Sequence, residues 1–212
     1  MAELLFQRGA DVDVRGRGDV TPLVVACSNR PLDTVLWLLE RGADIHAQME
    51  NGWTALHAAA FHSQPKAVQV LLEHGADINS RSVEGGVPLH LAASPSRDYD
   101  DQLDTMQLLL DNGADVNTRD NEGSTPLHHS SAEYWTVEST RLLLEHGANI
   151  NAKDNKGRTA LQVALAHGRA GIARVLTGYS TVSGGAINYA LGTLWPTMGH
   201  FLFLLLLIYV VH

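Results

Sequence analysis

The chain has 212 residues, of which 15 are Lys or Arg and 23 are Asp or Glu, giving a formal net charge of −8. That balance repels phosphate backbones and no run of five basic residues offers a local exception, so nucleic acid is not expected as a partner. The single cysteine, Cys27, excludes an intrachain disulfide framework and an all-cysteine metal cage, and it suits a reducing compartment, cytoplasmic or nuclear.

The N-terminal stretch MAELLFQRGAD carries charge where a secretory signal needs an apolar run, so export by that route is not expected. Gly-Ala-Asp or Gly-Ala-Asn then begins at Gly9, Gly42, Gly75, Gly113 and Gly147, and a Thr-Pro-Leu-type string at Thr21, Thr54, Val87, Thr125 and Thr159. Both series step by 33, 33, 38 and 34 residues. A period near 33 marks stacked repeats, each unable to bury its apolar face alone. The expected organisation is a partial repeat at 1–15, five repeats at 16–48, 49–81, 82–119, 120–153 and 154–177, and a linker with a hydrophobic tail at 178–212.

Leu4, Leu5 and Phe6 stand before Gly9 as Val70, Leu71 and Leu72 stand before Gly75, so the chain opens inside the second helix of a pair. Terminal repeats need a polar outer face, and the expectation is a fragment or truncated product of a longer array. Arg17-Gly18-Asp19, a string that cell-adhesion receptors can read, is assigned to chance for want of a secretion signal. Repeat 49–81 is the best formed. Asn51-Gly52 signals a turn. Thr54 caps a short helix over about 55–62 with its hydroxyl, and Pro22, Pro88 and Pro126 take the first helical position elsewhere. Ala58, Ala59 and Ala60 let neighbouring helices approach closely. A second helix over about 65–74 buries Val68, Leu71 and Leu72 along one stripe and ends at Gly75 in the left-handed conformation.

Repeat 82–119 has Val87 in place of the capping Thr and five extra residues within 94–101. A lost cap of this kind costs about 1 kcal/mol. The extra length falls between the two helices, where a surface loop tolerates it; its acidic and aromatic side chains read as a solvated loop or as contacts to a basic partner. Repeat 120–153 replaces the alanine pair by Ser130 and Ser131, whose hydroxyls can bond back to the preceding turn. After Arg174 no charged residue follows. Residues 201–211 form an unbroken apolar run, too short alone for the roughly 30 Å hydrocarbon core. Extended to 190–211 it has the length for a membrane anchor, with Arg169 and Arg174 keeping the repeats on the cytosolic face. A cap on the last repeat and an accident of truncation or reading frame are the alternatives.

Thr54-Ala55-Leu56-His57-Ala58-Ala59, Val68 to Leu72 and Gly75-Ala76-Asp77-Ile78-Asn79 resemble the ankyrin repeat, and two motifs hold phase through five copies. The resemblance implies an all-α solenoid of paired antiparallel helices with short β-hairpin-like fingers. It also implies that fingers and first helices line a concave groove binding another protein, with the chain a monomer. The groove positions it implies in the fingers are Arg17, Val20, Glu50, Asn51, Trp53, Val83, Glu84, Asn121, Glu122, Ser124, Asn155, Lys156 and Arg158. At the first-helix ends they are Ser28, Asn29, Phe61, His62, Ala132 and Glu133. Trp53, Phe61 and His62 would lie together as an aromatic anchor, packing between repeats being the alternative for the first two. Tyr134 and Trp135 could extend that surface or pack locally. Finger charges turn basic only at Lys153, Lys156 and Arg158, which suggests a partner with acidic and apolar patches.

Eleven histidines invite metal or acid–base chemistry, but His57, His90 and His128 share one repeat position and His74 and His146 another. In the family the first of these joins a hydrogen-bond network around the helix-opening turn. His128 and His129 are adjacent on a helix and point apart, wrong for joint ligation. Neither a phosphate loop nor a nucleophile elbow occurs, so no catalytic residue, metal or cofactor is expected. The weakened cap, the insertion and the two serines predict that repeats 82–119 and 120–153 open first. Native-state hydrogen exchange should find their amides the least protected of the array, and maximal protection there would contradict this.

Overall fold

The computed structural model describes residues 9–28, 32–94, 101–132 and 137–182, with side-chain surroundings described as far as Tyr179. The expectations placed on residues 4–6, on Asn29, on 95–100, on Glu133, Tyr134 and Trp135, and on the tail beyond 182 lie outside that set. Ten α-helices occur among the described residues. They are α1 Pro22–Ser28, α2 Leu32–Glu40, α3 Ala55–Phe61, α4 Pro65–Glu73, α5 Pro88–Ala93, α6 Gln102–Asp111, α7 Pro126–Ala132, α8 Val137–Glu145, α9 Ala160–Ala166 and α10 Ala170–Val182. The only β feature among these residues is an isolated antiparallel bridge between Lys153 and Thr159. The chain divides into a unit of Met1–Thr177 and one of Gly178–His212, and the described part of the second is the end of α10. No helix among the described residues is long and apolar enough to cross a membrane.

Within the first unit the odd-numbered helices α1 to α9 stack on one another in sequence, and so do α2, α4, α6 and α8, each also meeting the first helix of its own pair. The architecture is the all-α solenoid expected. The first helices make the stack close. Ala59 and Ala60, and Ala92 and Ala93, are fully or almost fully buried beside Leu56 and Leu89, where larger side chains would hold the next helix off. Second helices bury Val35 and Leu38, Val68 and Leu71, Met106 and Leu109, and Leu143, a stripe at helical spacing.

Four of the five first helices, α3, α5, α7 and α9, open on a cap in which the third helical residue accepts from the backbone N–H ahead of the helix, whereas α1 carries Val24 there and has only the Val24 N–H donating to Thr21 Oγ1 at 3.4 Å. Nδ1 of His57 accepts from the Thr54 backbone N–H at 3.2 Å and lies 3.0 Å from its hydroxyl; His128 treats Thr125 likewise, at 3.2 and 2.9 Å. The opposite nitrogen reaches into the next repeat, Nε2–H of His57, His90 and His128 donating to the carbonyls of Gly86, Ser124 and Arg158 at 3.2, 3.1 and 3.0 Å. Val87 keeps half of this cap, since its N–H still donates to His90 Nδ1 at 3.2 Å and its side chain is 1% exposed. Gln102, at the start of α6, adds a bond from Nε2 to the Ala92 carbonyl at 2.8 Å, tying the pair together across the insertion. In α7 both serines bond back as expected, Ser130 and Ser131 donating to the Leu127 carbonyl at 3.1 and 2.6 Å.

Second helices end by a common device. Arg41, His74, Asn112 and His146 each bond the carbonyl four residues back, at 2.8–3.3 Å, and a glycine with positive φ follows. The aspartate or asparagine of each Gly-Ala-Asp string then accepts from the backbone two residues on, at 2.9–3.0 Å. Successive loops are cross-linked: Asp44 N–H donates to Asp13 Oδ1 at 3.0 Å and Asn149 N–H to Asn117 Oδ1 at 2.7 Å.

A Cβ on Gly52, at φ 77°, would lie 2.7 Å from the Val83 backbone nitrogen, whereas one on Gly157, at φ 75°, meets nothing within 4 Å. Gly157→Ala should therefore show only the left-handed backbone penalty, about 1–2 kcal/mol, and Gly52→Ala clearly more, read from urea unfolding midpoints. Burial lowers the pKa of His57 and His128 and takes His90 from 6.5 to about 4, so these rings are neutral in the fold while unfolded rings titrate near 6.5. The contribution of His90 to stability is complete above pH 6.5 and is lost as pH falls toward about 4, and those of His57 and His128 fall in the same direction below pH 6.5. His90→Gln keeps an acceptor, as Gln162 Oε1 does for Thr159 N–H at 2.9 Å. It should remove about 2–3 kcal/mol of the wild-type stability change between pH 7 and 4.5, measured by denaturant titration at both values.

Candidate protein-binding surface

Each repeat projects a finger closed by one backbone bond. Gly16 N–H donates to the Val20 carbonyl, Met49 to Trp53, Ser82 to Gly86, Asp120 to Ser124 and Asp154 to Arg158, all at 2.8–3.0 Å. In the first finger Arg17–Asp19 forms a 3-10 turn with Gly18 at φ 76° and Asp19 at φ 58°. Adjacent fingers are zipped at their tips. The N–H groups of Glu50, Val83, Asn121 and Asn155 donate to the carbonyls of Gly18, Asn51, Glu84 and Glu122 at 3.0, 2.9, 3.0 and 2.8 Å. A second ladder runs along the stems, where Arg15, Arg81 and Arg119 donate to the carbonyls of Gln48, Arg119 and Lys153 at 3.2, 2.9 and 2.6 Å. The row is thereby a fixed surface.

The expected groove residues take different positions in this row. Glu50, Glu84, Glu122 and Lys156 are exposed at the tips. Asn121 and Asn155 are also exposed, yet their Nδ2 groups donate to the carbonyls of Val83 and Asn121, both at 2.9 Å, so they belong to the zip between fingers. Asn51 Oδ1 accepts from the Trp53 N–H of its own turn at 3.0 Å. Arg158 is half-buried and held by Asp154, Nε and Nη2 each 2.8 Å from Oδ2 of a carboxylate that is 2% exposed. Burial alone would raise the Asp154 pKa, but the backbone N–H and guanidinium of Arg158 outweigh it and hold the group charged.

Trp53, Phe61 and His62 do come together, each half-buried. The Trp53 ring lies 5.2 Å from that of Phe61 and stacks on His57 at 6.4 Å, and Phe61 meets His62 edge-on at 5.1 Å. Residues 53, 57 and 61 are one helical turn apart, which carries the cluster from the finger onto α3. Two aliphatic side chains add to the exposed apolar surface: Val83 at the third fingertip, 66% exposed, and Val25 on α1, 48% exposed. Val25 was not among the expected residues, because a valine in a short apolar helix carries no sequence signal for which side faces outward.

His129 pairs with its own finger and with the preceding repeat, a relation that adjacency to His128 does not suggest. Its Nε2 is 2.7 Å from Asp120 Oδ2, its Nδ1 is 3.3 Å from Ser94 Oγ, and its ring meets that of His90 edge-on at 5.1 Å. Ligand-type atoms of His90, Asp120 and His129 lie within 4.8 Å of one another. His90, however, accepts at Nδ1 and donates at Nε2, so its free lone pair is already used, and the link between α5 and α7 is made by the Ser94–His129 hydrogen bond and the edge-on contact of the two rings. Burial would raise the Asp120 pKa, and the bonds from His129 and the Ser124 N–H reverse that. Cys27 is fully buried on α1, where burial pushes its thiol up to about 12, far from a reactive thiolate.

No curated protein matches the chain. A family model described as ankyrin repeats, in three copies, matches residues 1–82 and again 89–184. Its two matches take in all ten helices except the opening Pro88 of α5, and they leave residues 83–88, the tip of the third finger, between them. Such repeats are generally protein–protein interaction modules, typically without catalysis. With stacked helix pairs, capped first helices and zipped fingers all falling on one period, the chain belongs to the ankyrin repeat family.

Proposed function

We propose that this protein is a non-catalytic binding module that holds a partner protein against its fingers and first helices. The observation that carries the reading is the contiguous aromatic pair Trp53 and Phe61, half-buried on a finger row that backbone bonds keep rigid. Rigidity matters because a surface already ordered loses little conformational entropy on binding. Aromatic side chains at the edge of such a surface supply large contact area for few frozen torsions. The exposed tips Glu50, Glu84, Glu122 and Lys156 set the polar rim around that anchor, while Asn51, Asn121, Asn155 and Arg158 support it from within the fingers. His62 extends the aromatic edge along α3.

A Trp53→Ala, Phe61→Ala double variant should keep its far-UV circular dichroism and lose partner binding by about 30-fold or more, the cost of two anchor side chains. Partner captured on immobilised wild-type chain and quantified against the variant provides the measurement. Undiminished capture by the variant would reject the proposal.

A further inference from the structure

We infer that the segment docked on this surface is an extended stretch of the partner carrying Lys or Arg at about every third residue with apolar side chains between, an inference that rests on the docking role proposed above. The apolar floor is Trp53 and Phe61, with Val83 66% exposed at the neighbouring tip. Its rim is acidic. Glu50, Glu84 and Glu122 are exposed on three consecutive fingers, and none of their carboxylates has an ion pair or hydrogen bond among the described residues.

Most basic groups of the finger row are placed otherwise. Arg15, Arg81 and Arg119 are drawn onto stem carbonyls, Arg158 is held on Asp154, and the exposed Arg17 stands in the first finger, outside the three tips that carry the glutamates. The basic end that Lys153, Lys156 and Arg158 suggest in sequence is thus reduced to its lysines, and the three carboxylates dominate the tips beside the aromatic floor. A basic segment complements that rim, whereas an acidic one sets like charges against three unpaired carboxylates. Spacing follows from the stack. Packed helices lie about 8–10 Å apart and an extended chain rises about 3.3 Å per residue, so about three residues of partner pass each finger.

The test uses two fluorescent ten-residue peptides, one with arginine at its first, fourth, seventh and tenth positions and leucine and serine between, the other with glutamate replacing arginine. Anisotropy titrations against the full chain at low and moderate salt should show the arginine peptide at least about tenfold tighter, with the advantage shrinking as salt rises. The triple variant Glu50→Gln, Glu84→Gln, Glu122→Gln should weaken it about tenfold, consistent with three exposed pairs of a few tenths to 1 kcal/mol each. Glu73→Gln, Glu138→Gln, Glu145→Gln makes the same change of net charge on the second helices and should leave binding unchanged. Equal binding of the two peptides, no binding of either, an unaffected fingertip variant, or equal loss in both triple variants would each overturn the inference. Loss of partner capture in the Trp53→Ala, Phe61→Ala variant alongside any of those results would leave the docking role standing and remove only the charge assignment.

Discussion

One side chain in each of the three middle repeats joins the two levels of this structure. The imidazole of His57, His90 or His128 accepts at Nδ1 from the backbone that opens its own helix and donates at Nε2 to a carbonyl of the next finger. The Nδ1 bonds are buried and the Nε2 bonds buried or part-buried, so leaving them unmade would strand backbone polar groups with little access to water. Because only the neutral ring offers an acceptor and a donor on opposite sides, the helix start, the finger and the repeat spacing are fixed together. Burial keeps the rings in that neutral form.

The finger row inherits its rigidity from that connection. A hairpin-like turn projecting alone would be mobile, but here each tip is bonded to the one before it and the stem arginines bridge carbonyls from repeat to repeat. Glycines at the tips permit the close approach: the Val83 backbone comes to where a side chain on Gly52 would be. Side chains not consumed by these ladders, chiefly the aromatic cluster and the tip carboxylates, are the ones left facing outward. Structure and recognition are thereby divided among neighbouring residues of one turn.

The irregular repeats show how departures are offset locally. Val87 gives up a hydroxyl contact but is fully packed and keeps its backbone bond to His90. Gln102 braces α6 against the end of α5 across the insertion. His129 and Asp120 add a polar staple against His90 at the same junction, where the other first helices carry apolar residues such as Ala58 and Leu91. Ser130 and Ser131 satisfy their buried hydroxyls on the preceding turn. Each substitution of a polar for an apolar group thus meets a partner within one repeat.

Sequence by itself determined the repeat period, the pairing of short and longer helices, the glycine-ended loops and the position of the fingers, since these depend on residue types at fixed local spacing. It also showed that Trp53, Phe61 and His62 belong on one side of one repeat, because about two helical turns separate finger from helix end. Tertiary structure decided which polar side chains are spent on the stack. Asn121 and Asn155 read as recognition residues in sequence but cross-link fingers, Arg158 is bound to Asp154, and His129 finds partners 9 and 35 residues away in Asp120 and Ser94. The bonds of Asn121 and Asn155, and that of His129 to Ser94, depend on what the neighbouring repeat presents, and those of Arg158 and His129 to their own finger's aspartate depend on how the finger folds back on its helix, neither of which leaves a mark in the periodicity.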